Sequence, residues 1–138
     1  MMDQLKPLSA SVSVGPQLQP SDMTTLAAQG YSSVINNRPD DEEPGQPSST
    51  EMEAAATSAG LAYLHVPVRG MPDDDAVAQV KDRLAADPTG KVRTVLFCRS
   101  GMRSTAAWAM AQRLDGADPD DLRAAAASAG YDLSRLPL

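Results

Sequence analysis

The chain has 138 residues, 42% of them hydrophobic, with 12 basic and 18 acidic side chains for a net charge of -6, one cysteine and one histidine. That length suits one domain over residues 1–138 whose core needs neither disulfides nor a structural metal, and a lone Cys with a lone His could supply neither. The acidic total excludes broad nucleic-acid binding, and with no basic-then-apolar start and no run of about eighteen apolar residues, no membrane segment and a reducing, cytoplasmic setting are expected.

Val12 and Val14 alternate with Ser11 and Ser13 before Gly15-Pro16, which predicts a short first strand ending in a turn. Ser21 is a candidate cap for a helix carrying Met23, Leu26 and Ala27 and stopped by Gly30. Within residues 31–37, Val34 and Ile35 read as a buried strand. Three prolines, a glycine and four consecutive acids make residues 38–49 an exposed loop. Thr50 and Glu53 stand at capping-box spacing before a second helix that ends at Gly60. Residues 61–68 predict a strand with Pro67 near its end. A third helix is expected from about Asp74, with Val77, Val80 and Leu84 on one face and Asp87-Pro88 stopping it.

Thr94-Val95-Leu96-Phe97 is an unbroken apolar run of the kind buried at the centre of parallel sheets. A fourth helix follows from about Ser104 to Leu114, apolar on nearly all sides, and Gly116 ends it. Asp118-Pro119 caps a last helix through Leu122, Ala125 and Ala126, stopped by Gly130. Strands alternating with helices at short spacing predict an α/β fold, a three-layer sandwich with a mainly parallel central sheet.

Residues 88–114 hold Lys91, Arg93, Arg99, Arg103 and Arg113 and no acid, and the lone Cys98 sits inside that basic island. Phe97-Cys98-Arg99-Ser100-Gly101-Met102-Arg103-Ser104 falls between the buried strand and the buried helix, where ligands of open parallel sheets bind. A thiol there faces the unpaired N–H groups and positive end of a helix, which favour the thiolate. Gly101 lets the backbone curl so that successive amides converge on one centre. Arg103 offers a bidentate guanidinium to the same anion. A lone Cys after a buried strand is usually a small core residue, but two arginines, two serines and a glycine would continue a core poorly.

Cys98 and Arg103 are therefore the catalytic candidates, with Arg99, Ser100, Gly101, Met102 and Ser104 around the anion. Ser104 could bond the thiolate or cap the helix, and Met102 makes the rim more apolar. Arg38, at a strand end, suits a second anion contact and loop bracing equally. Asp73, Asp74 and Asp75 could serve as a general acid, although three acids before a helix more simply cap it. His65 reads as a hydrogen-bonded core residue before a catalytic base, Trp108 as core, and residues 40–43 as a solvated acidic loop. No cofactor or metal is implied.

The Cys98–Arg103 loop resembles that of rhodanese-type sulfurtransferases, in which four residues lie between the cysteine and the final residue; cysteine phosphatases of the dual-specificity kind enclose five. The whole chain is similar to the phosphatase-like domain of beta-lactamase-hydrolase-like proteins, a bacterial family that also carries a sulfurtransferase label. The similarity runs through residues 11–17, Val34-Ile35-Asn36-Asn37-Arg38-Pro39-Asp40, Glu43-Pro44-Gly45-Gln46-Pro47, His65-Val66-Pro67-Val68 and the Cys98 loop. It implies a dual-specificity-phosphatase-like fold carrying a loop of rhodanese length.

One amide fewer narrows the ring of donors toward a single sulfur atom, and Arg69-Gly70 stands where similar phosphatases place an acid. The resulting expectation is a sulfurtransferase that moves a sulfane sulfur from a thiosulfate or persulfide donor to a nucleophilic acceptor through a Cys98 persulfide. The alternatives are a cysteine-dependent phosphatase acting on an aryl phosphate or phosphotyrosine ester, and a non-catalytic anion-binding module. In each case the partner is a small anion.

Overall fold

The computed structural model describes residues 4–87, 89 and 91–138. Its strands are β1 (Lys6–Pro7), β2 (Val12–Gly15), β3 (Ser33–Asn36), β4 (Ala62–His65) and β5 (Thr94–Phe97), joined in one sheet in the order β1-β2-β5-β3-β4. The pairs from β2 to β4 are parallel; β1 lies antiparallel on the outer edge of β2.

Side chains alternate between the faces of a strand, and here both faces are covered, which is why β5 is apolar without interruption. Val95 and Phe97 join Val34, Leu18, Met23, Leu26 and Met52 on one face, under α1 (Asp22–Ala28) and α2 (Ser49–Ser58). Leu96 joins Val14, Ile35, Val77, Val80 and Trp108 on the other, under α3 (Asp74–Ala85), α4 (Met102–Leu114) and α5 (Pro119–Ser128). Burying a side chain such as Phe97 or Leu96 contributes roughly 1.5–3 kcal/mol, so the central strand is anchored from both sides. The expected three-layer α/β sandwich is the observed fold, and Trp108 is core at 4% exposure.

Local expectations shift in several places. The cap of α2 is Ser48, not Thr50: its extended backbone lets Ser48 Oγ accept from Glu51 N at 3.1 Å while Ser48 N donates back to Glu51. Ser21 has the helix-preceding position but helical backbone angles, and its side chain makes no capping bond. Asp22 instead accepts from Gln19 N at 2.8 Å. The regular part of the 61–68 strand ends at His65, after which Val66 N and Val68 N still reach Asn36 O and Asn37 O on either side of Pro67, which has no N–H. α3 ends at Ala85; Pro88, expected to help stop it, lies outside the described residues, as do residues 1–3. β1 was not anticipated, since two exposed residues carry no periodicity.

Two differences bear on the site. α4 begins at Met102 rather than Ser104, drawing Arg103 into its first turn, and Arg38, placed by sequence in an exposed loop, is buried at 1% exposure. Among the described residues no helix is long and apolar enough to cross a membrane, and no group of three or more His, Cys, Asp or Glu is placed to hold a metal.

Candidate active site

β5 delivers Cys98 to the carboxyl edge of the sheet, where its N–H donates to Gly15 O at 3.4 Å and its side chain is fully buried. The chain then turns through Arg99, Ser100 and Gly101 into α4. Each carbonyl of that turn is held outward: Arg99 O accepts Gln17 N at 3.3 Å, Ser100 O accepts the Tyr131 hydroxyl at 2.9 Å, and Gly101 O accepts Thr105 N and Thr105 Oγ1 at 2.9 and 2.8 Å. In a trans peptide the N–H points opposite to the carbonyl, so the amides of Ser100 and Gly101 turn inward, while Met102 N donates to Ser100 Oγ at 3.3 Å. Gly101 N does so visibly, donating to Cys98 Sγ at 3.1 Å. Among the described residues the amides of Arg99, Ser100, Arg103 and Ser104 donate to no protein group, as the open end of a helix requires.

Gly101 has φ +97, and the Tyr131 ring occupies the space a Cβ would need. Gly101→Ala is expected to destabilise the fold by roughly 1–3 kcal/mol, readable as a lower denaturant midpoint at unchanged m-value. Burial pushes the Tyr131 phenol up, and the charge of Cys98 adds to that push, so this tyrosine both props the loop and lies within the electrostatic reach of the sulfur.

Arg103 is fixed by an acid. Its Nη1 donates to Glu42 Oε2 at 2.8 Å and to Val68 O at 2.7 Å, and its Nη2 donates to Glu42 Oε1 at 2.8 Å. A guanidinium has five N–H donors. Among the described residues the donors left are Nε–H and one Nη2–H, which lie on one edge and form the fork that grips two oxygens of an anion. Glu42 also accepts Arg38 Nε at 2.8 Å, and Arg38 is held by Gln17 Oε1 and Glu43 Oε1, each at 3.1 Å. The Arg103 hydrogen bonds and then those of Arg38, working against partial burial, hold the Glu42 carboxyl at about 2. Glu42 in turn raises the Arg103 guanidinium, with the charge of Cys98 contributing.

This bridge has a defined pH signature. A carboxylate whose folded value lies below its unfolded one adds stability above the unfolded value and loses it as pH falls through the folded one. Thermal melts should therefore show wild-type stability falling between pH 4.5 and about 2 more steeply than that of Glu42→Gln. Parallel curves for the two proteins would show that the bridge carries no linked proton.

The other sequence candidates divide. Ser104 is buried and donates to Asn37 Oδ1 at 2.8 Å, so it neither bonds the sulfur nor caps α4, where Gly101 holds the capping position. It locks the helix mouth to the end of β3, because Asn37 Nδ2 binds Val66 O at 3.0 Å. Arg99 points outward, 67% exposed and 3.9 Å from Glu43; Met102 is exposed on the rim. Arg38 braces the loop of residues 38–49. Asp73 caps α3 by accepting Ala76 N at 2.8 Å, Asp74 lies in the first turn, and Asp75 accepts Gln79 Nε2. Among the described residues none of the three bonds to the Cys98 loop. His65 Nε2 meets Arg38 O at 2.8 Å, a structural contact.

Glu42, Tyr131 and Gln17 were not singled out from sequence. The spacing of Arg38 and Glu42 by four residues was a signal for one pair, although the segment between them is not helical; nothing local marks Tyr131 or Gln17. The acidic loop is not freely solvated: Glu42 spans two arginines, Glu43 pairs with Arg38, and Asp40 accepts Ser49 N at 2.8 Å.

A buried cysteine between the central parallel strand and a helix mouth, with an arginine in that helix's first turn, defines a domain of the cysteine-phosphatase-like class. Residues 4–115 match the family described as the phosphatase-like domain of beta-lactamase hydrolase-like proteins, and the chain belongs to that family. Beta-lactamase hydrolase-like proteins of Xylella fastidiosa and Agrobacterium fabrum are 36% and 32% identical to it, over 93% and 91% of this chain. The chain spans 30% and 29% of the lengths of those relatives. Among solved structures it is similar to a Neisseria meningitidis protein named as a candidate phosphatase, with TM-score 0.77, 25% identity and coverage of 94% of this chain and 91% of the other. It also shares its fold with Tk-PTP in its active form, with TM-score 0.71, 16% identity and coverage of 93% and 86%.

Proposed function

We propose that this domain is a cysteine-dependent phosphatase that transfers a phosphoryl group from a small phosphate ester to water through a covalent Cys98 intermediate. The observation that carries the reading is the buried Cys98 sulfur, bonded by Gly101 N–H at 3.1 Å at a helix mouth that Arg103 joins from the first turn. Its setting on a fold shared with cysteine phosphatases supports the choice of phosphate.

The sulfur attacks phosphorus as thiolate, the form that is nucleophilic. The S–P bond forms as the ester O–P bond breaks, and the inward amides with the open edge of Arg103 stabilise the charge on the three remaining oxygens. Water then breaks the S–P bond, releasing phosphate and returning the thiol. Among the described residues the carboxyl groups bonded to the loop are Glu42, which Arg103 and Arg38 hold ionised, and Glu43, which pairs with Arg38 and lies 3.9 Å from Arg99, so neither is placed as an acid to protonate a departing alkoxide. The substrate class is accordingly an ester whose leaving group departs as a stable anion, an aryl phosphate. The same proposal treats residues 1–138 as one domain working in a reducing, cytoplasmic setting.

One observation favours a second reading. Four residues, Arg99 to Met102, separate Cys98 from Arg103, a ring narrow enough to suit a persulfide sulfur, and sulfite would leave without a proton donor. Hydrolysis of p-nitrophenyl phosphate, lost in Cys98→Ser, supports the first. Thiocyanate formed from thiosulfate and cyanide, with no aryl phosphate turnover, replaces it with sulfur transfer. Anion binding without either turnover makes the chain a binding module.

A further inference from the structure

A cavity of about 570 Å3 opens at the edge of the sheet opposite Cys98. Val12, Thr94, Ser33 and Ala62 are the first residues of four parallel strands; they stand in register and all line it. Cys98 follows the far end of β5, so four residues at about 3.3 Å each separate the two places, and the cavity is distinct from the candidate active site.

Three charged side chains line the cavity, and two of them are already engaged. Asp87 accepts Thr89 N and Val92 N at 3.0 and 2.6 Å, together with the Thr89 hydroxyl, and these bonds hold its carboxyl below the usual carboxylate range. Asp115 pairs with Lys81 Nζ at 3.4 Å. Arg83, in the last turn of α3, has no ion pair among the described residues and makes one bond, to Ser33 Oγ at 3.4 Å, beyond the usual 2.7–3.2 Å range. The guanidinium is only partly exposed and keeps most of its donors, in a cavity that Ser9 and Ser11 also line and to which Leu84, Val92 and Trp108 contribute apolar surface. The cavity is of small-molecule size, and an apolar wall with a few convergent polar groups is the usual build of a ligand site.

We infer that this cavity binds an amphipathic organic anion, with its acidic group on Arg83 and its apolar body against Leu84, Val92 and Trp108. Trp108 is the sole tryptophan of the chain, so it reports occupancy directly. The probe is 8-anilinonaphthalene-1-sulfonate, an aromatic monoanion that accepts energy from tryptophan. Titration of the full chain should give saturable one-to-one energy transfer that millimolar inorganic phosphate does not displace. Arg83→Gln should weaken it on the order of tenfold, the loss of one charge-assisted hydrogen bond, while aryl phosphate turnover and the melting temperature stay unchanged. Arg83→Lys should recover part of the affinity. Val92→Glu, on a lining residue 42% exposed, should weaken the probe likewise and stands in if Arg83→Gln does not fold. Equal affinity in wild type, Arg83→Gln and Val92→Glu, displacement by phosphate, or absence of saturable transfer would each overturn the inference.

Discussion

Cys98→Ser should lower kcat/KM toward an aryl phosphate by roughly 10^4-fold or more, the scale seen when a covalent nucleophile is removed. The loss is chemical. A hydroxyl replaces the thiol, and among the described residues no general base is bonded to it; the backbone of the turn stays pinned by Gln17, Tyr131 and Thr105 through carbonyls that the substitution does not touch. Inorganic phosphate should therefore bind the variant within a few-fold of wild type by calorimetry, since the inward amides and the Arg103 edge remain. A serine variant retaining a tenth of wild-type turnover would remove Cys98 from the chemistry.

Arg103→Lys should lower kcat/KM by roughly 10^2–10^3-fold, in the range for removing a preorganised charge-stabilising donor. Lysine keeps the charge and loses the plane. Arg103 meets Glu42 with two nitrogens and Val68 O with a third bond while keeping one edge for an anion; an ammonium cannot present two edges at once. Turnover within threefold of wild type would show that net charge rather than the fork is what the site uses. Glu42→Gln separates orientation from charge. It leaves the cation in place and weakens its tether, so it should cost less than Arg103→Lys while flattening the acid limb of stability.

The fold was legible because both of its periodicities are strong. Val12 and Val14 alternate, residues 94–97 are continuously apolar, and capping signals precede four helices, although Ser48 rather than Thr50 does the capping at α2 and Ser21 makes no capping bond at α1. The nucleophile and its arginine were legible because they are contiguous with the glycine that shapes the turn. What sequence did not reveal is long-range. Glu42 reaches Arg103 across 61 positions, Ser104 reaches Asn37 across 67, and Tyr131 reaches Ser100 across 31. Each contact exists only because β3, β5 and the segment after α5 converge at one edge of the sheet. Arg38 was misplaced for a related reason: proline, glycine and acids around it describe an exposed segment, and nothing local shows that two carboxylates and an amide will fold over a buried guanidinium.

Intact mass is the most direct test of a covalent cysteine intermediate. Wild type mixed with an aryl phosphate and rapidly quenched should carry one added phosphoryl group, about 80 Da, on the peptide containing Cys98, and Cys98→Ser should carry none. A gain of about 32 Da from thiosulfate, with no gain from the phosphate ester, would keep the nucleophile and change the group it carries to sulfur. Wild type left unmodified by both donors would contradict the account.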